Sequence, residues 1–165
     1  MIETLCSELE GLNTLKNVRS VILTSEGPAF SSGHDLRELV RGIAAAAGCQ
    51  LVASCDIVVA SETSKFVVPG QKLGFFCTTP GIALARAVPR KVALDMLLTA
   101  EPIDAQAALR CGLVSRVVPE KEVKREALKV AHQIGQYSRA VTALGKAIFY
   151  SQIEMGVTDA YRSLR

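Results

Sequence analysis

The chain has no tryptophan, and aromatic residues make up only 5% of its 165 positions. A stacking platform for single-stranded nucleic acid needs aromatic faces, so that function class is not expected. The charges are scattered and the net charge is only +3, which reads as a solvated surface rather than a nucleic-acid face. Five cysteines (Cys6, Cys49, Cys55, Cys77 and Cys111) form no CxxC pair and have no histidine at metal-ligand spacing. No metal site is expected. An odd number of thiols among apolar neighbours suits reduced, buried cysteines in a reducing compartment. The most apolar stretch, Gly42 to Ala60, is interrupted by Gln50 and Asp56. A membrane helix needs about 20 mainly apolar residues, so a buried helix followed by a buried strand is expected instead. The N-terminus shows neither a secretory signal nor an Arg-rich, acid-poor transit peptide, because Glu3, Glu8 and Glu10 lie within an amphipathic pattern. There is no repeat, low-complexity linker or heptad run.

What is present is enough for one domain with a real core. Hydrophobic residues make up 49% and charged residues 21%, a globular balance. Helical spacing marks residues 2–15. Val18 to Thr24 is short and β-branched, as a buried strand should be. A helical start is expected at Asp35 to Leu39, and the Ala-rich Gly42 to Ala53 reads as one helix. Strands are expected over Asp56–Ala60 and Phe66–Val68, the latter stopped by Pro69-Gly70, with a loop from Leu73 to Gly81. Helices follow at Ile82–Ala87 and from Pro89 to about Thr99. Another is capped by Asp104 and ends at Gly112. A strand or extended piece covers Leu113–Val118. Lys121–Gln136 is amphipathic, with Val123, Ala127, Val130, Ala131 and Ile134 on one side, and a last helix runs from Ser138 to about Gln152. Alternating strands and helices define an α/β protein.

Two segments carry the candidate chemistry. Phe30-Ser-Ser-Gly-His-Asp-Leu36 places small residues where a strand passes into a helix. Gly42-Ile-Ala-Ala-Ala-Ala-Gly-Cys-Gln50 supplies a second helix start. Free N–H groups and the positive helix end favour anionic oxygen at such places. Two such donors aimed at one oxygen form an oxyanion hole. Each segment alone is equally an ordinary glycine turn or a tightly packed core helix.

Together with Cys55-Asp-Ile57, Phe66-Val-Val-Pro-Gly-Gln-Lys-Leu-Gly74, Pro80-Gly81, Leu98-Thr-Ala-Glu-Pro-Ile-Asp-Ala-Gln106 and Ala108-Leu-Arg-Cys-Gly-Leu-Val114, these segments resemble the crotonase, or enoyl-CoA hydratase/isomerase, family over nearly the whole chain. The resemblance implies the crotonase-like (ClpP/crotonase) spiral of repeated β-β-α units, an acyl-CoA ligand of fatty-acid metabolism and a mitochondrial setting. It implies no cofactor beyond the coenzyme A of the substrate, and trimers or hexamers as the family's usual assembly. The backbone N–H groups of His34 and Ala47 would hold the thioester carbonyl. Gly33, Gly48, Gln50, Gly70 and Cys77 would line the substrate site, and Arg37 would face a coenzyme A phosphate. His34 and Arg37 are also readable as a structural turn residue and a solvated charge, and Cys77 as an inert thiol.

The sequence departs from the family at the two hydratase carboxylates. Gln50 stands at the first position and Gly70 at the second. Hydration needs one group to activate water and another to handle the α-proton, and neither residue can. Activity as a lyase or isomerase is therefore open. Enolate stabilisation without a strong base and a pseudo-enzyme with a regulatory or interaction role are both compatible with these residues. Only Glu38 to Arg41 joins the two oxyanion segments, where the family has a helix and a core strand. A single partial domain over 1–165 is expected, internally deleted with a seam near residues 40–41, incomplete at its N-terminal strands, and with the C-terminal helices partly missing.

Overall fold

A computed structural model describes residues 2–24 and 42–163. The chain divides into two compact units, residues 23–127 and residues 1–22 with 128–165.

The first unit holds all the strands found among the described residues. Strand β1 (Ile43–Ala45) pairs in parallel with β3 (Lys65–Val67), placing Ala44 opposite Phe66. β3 also pairs antiparallel with β4 (Ile103–Asp104). Strand β2 (Val59–Ser61) instead pairs in parallel with β5 (Arg116–Val118), forming a separate two-stranded sheet. The short turn between β2 and β3 therefore sends consecutive strands into different sheets. Ser61 fixes that turn. Its buried hydroxyl accepts the Thr63 N–H at 3.2 Å and bonds the Thr63 hydroxyl at 2.8 Å.

Helices α2 (Ala47–Ser54), α3 (Thr78–Ala87), α4 (Arg90–Thr99) and α5 (Ala105–Cys111) cover these strands. Their inward residues make one core: Cys49 and Val52 from α2, Leu84 from α3, Ala93 and Met96 from α4, and Ala108 from α5, against Phe66 of β3. Each of these side chains is held out of water, which is the main force for folding. The expected Asp104 cap is present, its carboxylate accepting the Ala107 N–H at 2.7 Å. Gly112 ends α5 at a φ of 86°, a conformation glycine adopts without a Cβ penalty.

Several sequence expectations need correction. Gly42–Ala53 is not one helix. It is β1, a break at Ala46 and then α2, because pairing with β3 outweighs the helical preference of a short alanine run. Val18–Thr24 carries no strand. A strand exists only through its ladder partners, and Val21 and Ile22 are exposed here. The 73–81 loop is shorter than expected, since a 3-10 turn occupies Pro69–Leu73 and α3 begins at Thr78. Pro89 precedes α4 as its cap rather than occupying its first turn. The extended piece at 113–118 is a strand only from Arg116.

Helix α6 (Val123–Gly135) begins in the first unit, where Glu126 pairs with Arg116 of β5. It has the expected apolar side, with Val130 buried and Val123, Ala127, Ala131 and Ile134 half-buried. The second unit contains α1 (Ile2–Thr14), the end of α6, α7 (Arg139–Gln152) and a short α8 (Val157–Arg162), which periodicity did not reveal. Within it the Arg139 guanidinium donates to the Asn13 carbonyl at 3.0 Å, and that of Arg19 to the Tyr137 carbonyl at 3.3 Å. Val141 and Leu144 of α7 are exposed. Among the described residues no helix is long and apolar enough to cross a membrane.

Helix α4 ends on Ala100, which is fully buried in the left-handed region at a φ of 54°. An L-residue there pays roughly 1–2 kcal/mol that glycine does not. Ala100→Gly should stabilise the protein by about 1 kcal/mol, read as a higher urea midpoint at unchanged slope.

Candidate functional site

The site is built on the passage from β1 to α2. Ala45 ends the ladder opposite Val67. The next residue, Ala46, has a φ of 46° and a ψ of −110°, a strained backbone for a residue with a Cβ. Two hydrogen bonds hold it there. Its N–H donates to the Val67 carbonyl at 2.9 Å, and its carbonyl accepts the Gln50 N–H at 3.0 Å. The chain thus leaves the sheet and enters α2 with no intervening loop. The N–H groups of Ala47, Gly48 and Cys49 are in the first helical turn, which has no acceptor within the helix. No side chain caps that end. Three donors and the positive end of the helix dipole therefore lie together, with no acidic residue in the turn.

Ala47 and Gln50 are half-buried, while Gly48 and Cys49 are buried. Residues three apart share a helix face, so the Gln50 side chain rises from the same side as Ala47. Cys49 turns into the core. Burial, and then the thiols of Cys77 and Cys111, push its own thiol from 9.0 up to about 12. It stays neutral at physiological pH and cannot act as a nucleophile there.

Gly70 lies within the 3-10 turn and is buried. Its N–H donates to the Cys77 sulfur at 3.2 Å. A Cβ built on Gly70 would meet that sulfur at 2.6 Å and the Phe75 carbonyl oxygen at 2.7 Å. The space a side chain would need is already filled, partly by backbone. Cys77 itself is buried and caps α3. Cys77 and Cys49 belong to the same buried core cluster.

The structure places Ala47, Gly48 and Gln50 in the first turn of α2 and separately joins Gly70 to Cys77 through the Gly70 N–H. Gly33, His34 and Arg37 lie outside the described residues, as does the 40–41 seam. No group of three or more potential metal ligands occurs among the described residues. Sequence reasoning missed Ala46. In a run of four alanines nothing marks which residue takes the left-handed backbone, whereas a glycine would have.

The fold and this helix start define a class. The family profile described as Enoyl-CoA hydratase/isomerase matches residues 38–164. The chain belongs to the enoyl-CoA hydratase/isomerase family and has its α/β crotonase-like fold. It is 46% identical over 194 positions to the rat enoyl-CoA hydratase domain-containing protein 3, mitochondrial, covering 98% of this chain and 65% of that protein. The human protein of that name is also 46% identical over 194 positions, with 98% and 64% covered. The crystal structure of human enoyl Coenzyme A hydratase domain-containing protein 3 matches with a TM-score of 0.80 and 45% identity, over 94% of this chain and 78% of that one. An enoyl-CoA hydratase/isomerase family protein from Silicibacter pomeroyi matches with a TM-score of 0.92 and 29% identity, over 98% and 83%. The chain spans about 65% of the length of the curated relatives it matches. The stretch of 194 matched positions exceeds the 165 residues of the chain, so at least 29 positions of the relative have no counterpart within it.

Two outcomes test this geometry. Gly70→Ala should destabilise the fold by about 1–3 kcal/mol, as overpacking does, and Gly70→Glu should not yield crotonyl-CoA hydration. Cys49 gives a pH signature. A thiol whose folded pKa lies above its unfolded value stabilises the fold below the unfolded pKa and loses that contribution as pH rises. Stability should therefore fall between about pH 9 and pH 12. Denaturation midpoints of Cys49→Ala across the same window should fall less.

Proposed function

We propose that this chain binds acyl-CoA thioesters of fatty-acid metabolism through a backbone oxyanion hole, in a mitochondrial setting like that named for its relatives. The observation that carries the reading is the first turn of α2, where the strained Ala46 delivers the uncapped Ala47 N–H. The His34 N–H is the second donor in this reading, with Gly33 and Gly48 allowing close approach and Arg37 facing a coenzyme A phosphate. Two donors on the thioester oxygen favour electron density moving onto it, which makes the adjacent carbon easier to deprotonate or decarboxylate. Removing one donor from such a hole typically costs about 10²–10³ in rate.

The reaction is narrowed by what Gln50 and Gly70 cannot do. A carboxamide has no proton to exchange near neutral pH, and Gly70 has neither a side chain nor room for one. Hydration and double-bond isomerisation are therefore not proposed. Chemistry that places charge on the thioester oxygen without a strong protein base fits the remaining groups: loss of CO2 from an acyl-CoA carrying an α-carboxylate, through the enolate, or attack of water on the thioester carbonyl, through a tetrahedral oxyanion that expels the coenzyme A thiol. No cofactor is required besides the coenzyme A of the substrate. The 165 residues act in this reading as one partial domain with an internal deletion at 40–41, to which the excess of matched positions in the relatives lends support.

A second reading is favoured by the packing at Gly70. The Cys77 sulfur and the Phe75 carbonyl close the place where a second acid would act. A protein that keeps the fold and binds acyl-CoA without turning it over would serve as a regulatory or interaction partner.

Calorimetry with a panel of acyl-CoA thioesters, beside a turnover assay on the same panel, separates these readings. Saturable binding with turnover that falls at least 100-fold in Ala47→Trp supports the oxyanion-hole enzyme. Binding without turnover supports the second reading. No saturable binding to any thioester overturns both.

A further inference from the structure

A cleft of about 320 Å³ opens on a different part of the first unit, lined by Pro89, Val92, Ile103, Ala107, Arg110 and Cys111. Its size is at the lower end of small-molecule sites. The floor is apolar. Val92 and Ile103 are half-buried against the core, and Ala107 presents only a methyl group. The Cys111 thiol, also half-buried, donates to the Ala108 carbonyl at 3.4 Å, so it offers the cleft little polarity. None of the residues proposed for the thioester site lines it.

One charged group stands at this cleft. Arg110 lies in the last turn of α5 and is exposed. It has no hydrogen bond or ion pair among the described residues. The carboxylate nearest in sequence, Asp104, lies at the other end of α5 and is engaged with the Ala107 N–H. A guanidinium with five free donors above an apolar floor is complementary to an amphipathic anion. The planar fork pairs with a carboxylate in two parallel hydrogen bonds, while a flexible aliphatic chain fills the floor.

We propose that this cleft is a second ligand site, for a medium-chain fatty carboxylate, separate from the thioester site and independent of the acyl-CoA reading. Both ends of the ligand are required: the carboxylate for Arg110 and the chain for Val92, Ile103 and Ala107.

Decanoate is the probe. Titration of the full chain, followed by backbone amide NMR, should be saturable and move the Ala107, Arg110 and Cys111 resonances most. Arg110→Gln should weaken binding by about 10-fold to 100-fold, the range for a hydrogen bond to a charged group. Decanol should bind the unaltered protein no more tightly than decanoate binds Arg110→Gln. Ala107→Leu, which fills the floor, should abolish binding. If that variant fails to fold, Arg110→Gln and the decanol comparison decide. Saturating coenzyme A and Ala47→Trp should both leave the titration unchanged. Non-saturable shifts, equal affinity in Arg110→Gln, displacement of decanoate by coenzyme A, or binding of an acidic apolar peptide in place of decanoate would each overturn the proposal.

Discussion

Ala46 is the last residue held by the β1–β3 ladder and the cap of α2. Its N–H completes the sheet through Val67, and its carbonyl begins the helix through Gln50. Those two bonds hold it in a backbone region that costs on the order of 1–3 kcal/mol. Neither bond alone would keep it there, so sheet and helix must form together. The strain has a consequence for position. With no loop between them, the first turn of α2 is fixed relative to the strand and cannot drift. Cys49 and Val52 then face the core formed with α3, α4 and α5, and the N–H end of the helix carries no side-chain cap. On the proposed reading, a helix start held this way is pre-organised for an oxygen, in the sense that no donor would need reorienting when charge develops.

The sequence revealed the parts of this that rest on local chemistry. Asp104 and Gly112 bracket α5 because a carboxylate caps an N-terminus and glycine tolerates a φ of 86°, and both preferences belong to single residues. The amphipathic spacing of α6 was equally visible, with Val130 buried at the centre of its apolar side. What stayed hidden depends on partners distant in the chain. Ile43–Ala45 is a strand only because Lys65–Val67 lies beside it, and nothing in an alanine run announces that neighbour. Val18–Thr24 fails in the opposite direction, since its β-branched composition is strand-like but composition does not supply a ladder.

The candidate site divides along the same line. That Gln50 and Gly70 are not acids, the basis for reading two carboxylates as absent, was legible from residue identity alone. The reason Gly70 cannot simply be replaced was not, because it lies in the approach of the Cys77 sulfur from seven residues away and of the Phe75 carbonyl. These contacts turn a missing side chain into a closed space. The cysteines show the same limit. Their apolar neighbours suggested five buried, reduced thiols, but only Cys49 and Cys77 are buried, while Cys55 and Cys111 are half-buried and Cys6 on α1 is exposed. The packing also brings the influence of Cys77 and Cys111 onto Cys49, whose pKa they raise beyond what burial alone would do.

Losing both carboxylates does not remove the use of the helix start, because the two act on different parts of a reaction. An oxyanion hole stabilises charge wherever the carbonyl oxygen gains it, and only interactions stronger in the transition state than in the ground state accelerate the step. A general base instead selects which proton moves, and so which product forms. On the proposed reading, backbone donors at Ala47 with no acid at 50 or 70 would keep the electrostatic part of the catalytic apparatus without the proton-handling part. Backbone N–H groups also withstand substitution better than side chains, since almost any residue at 47 keeps its amide. The hole therefore depends on the fold, through the bond from Ala46 to Val67, whereas each carboxylate depends on a single codon. On that reading, the fold-borne part of such a site can persist where the side-chain-borne part is absent.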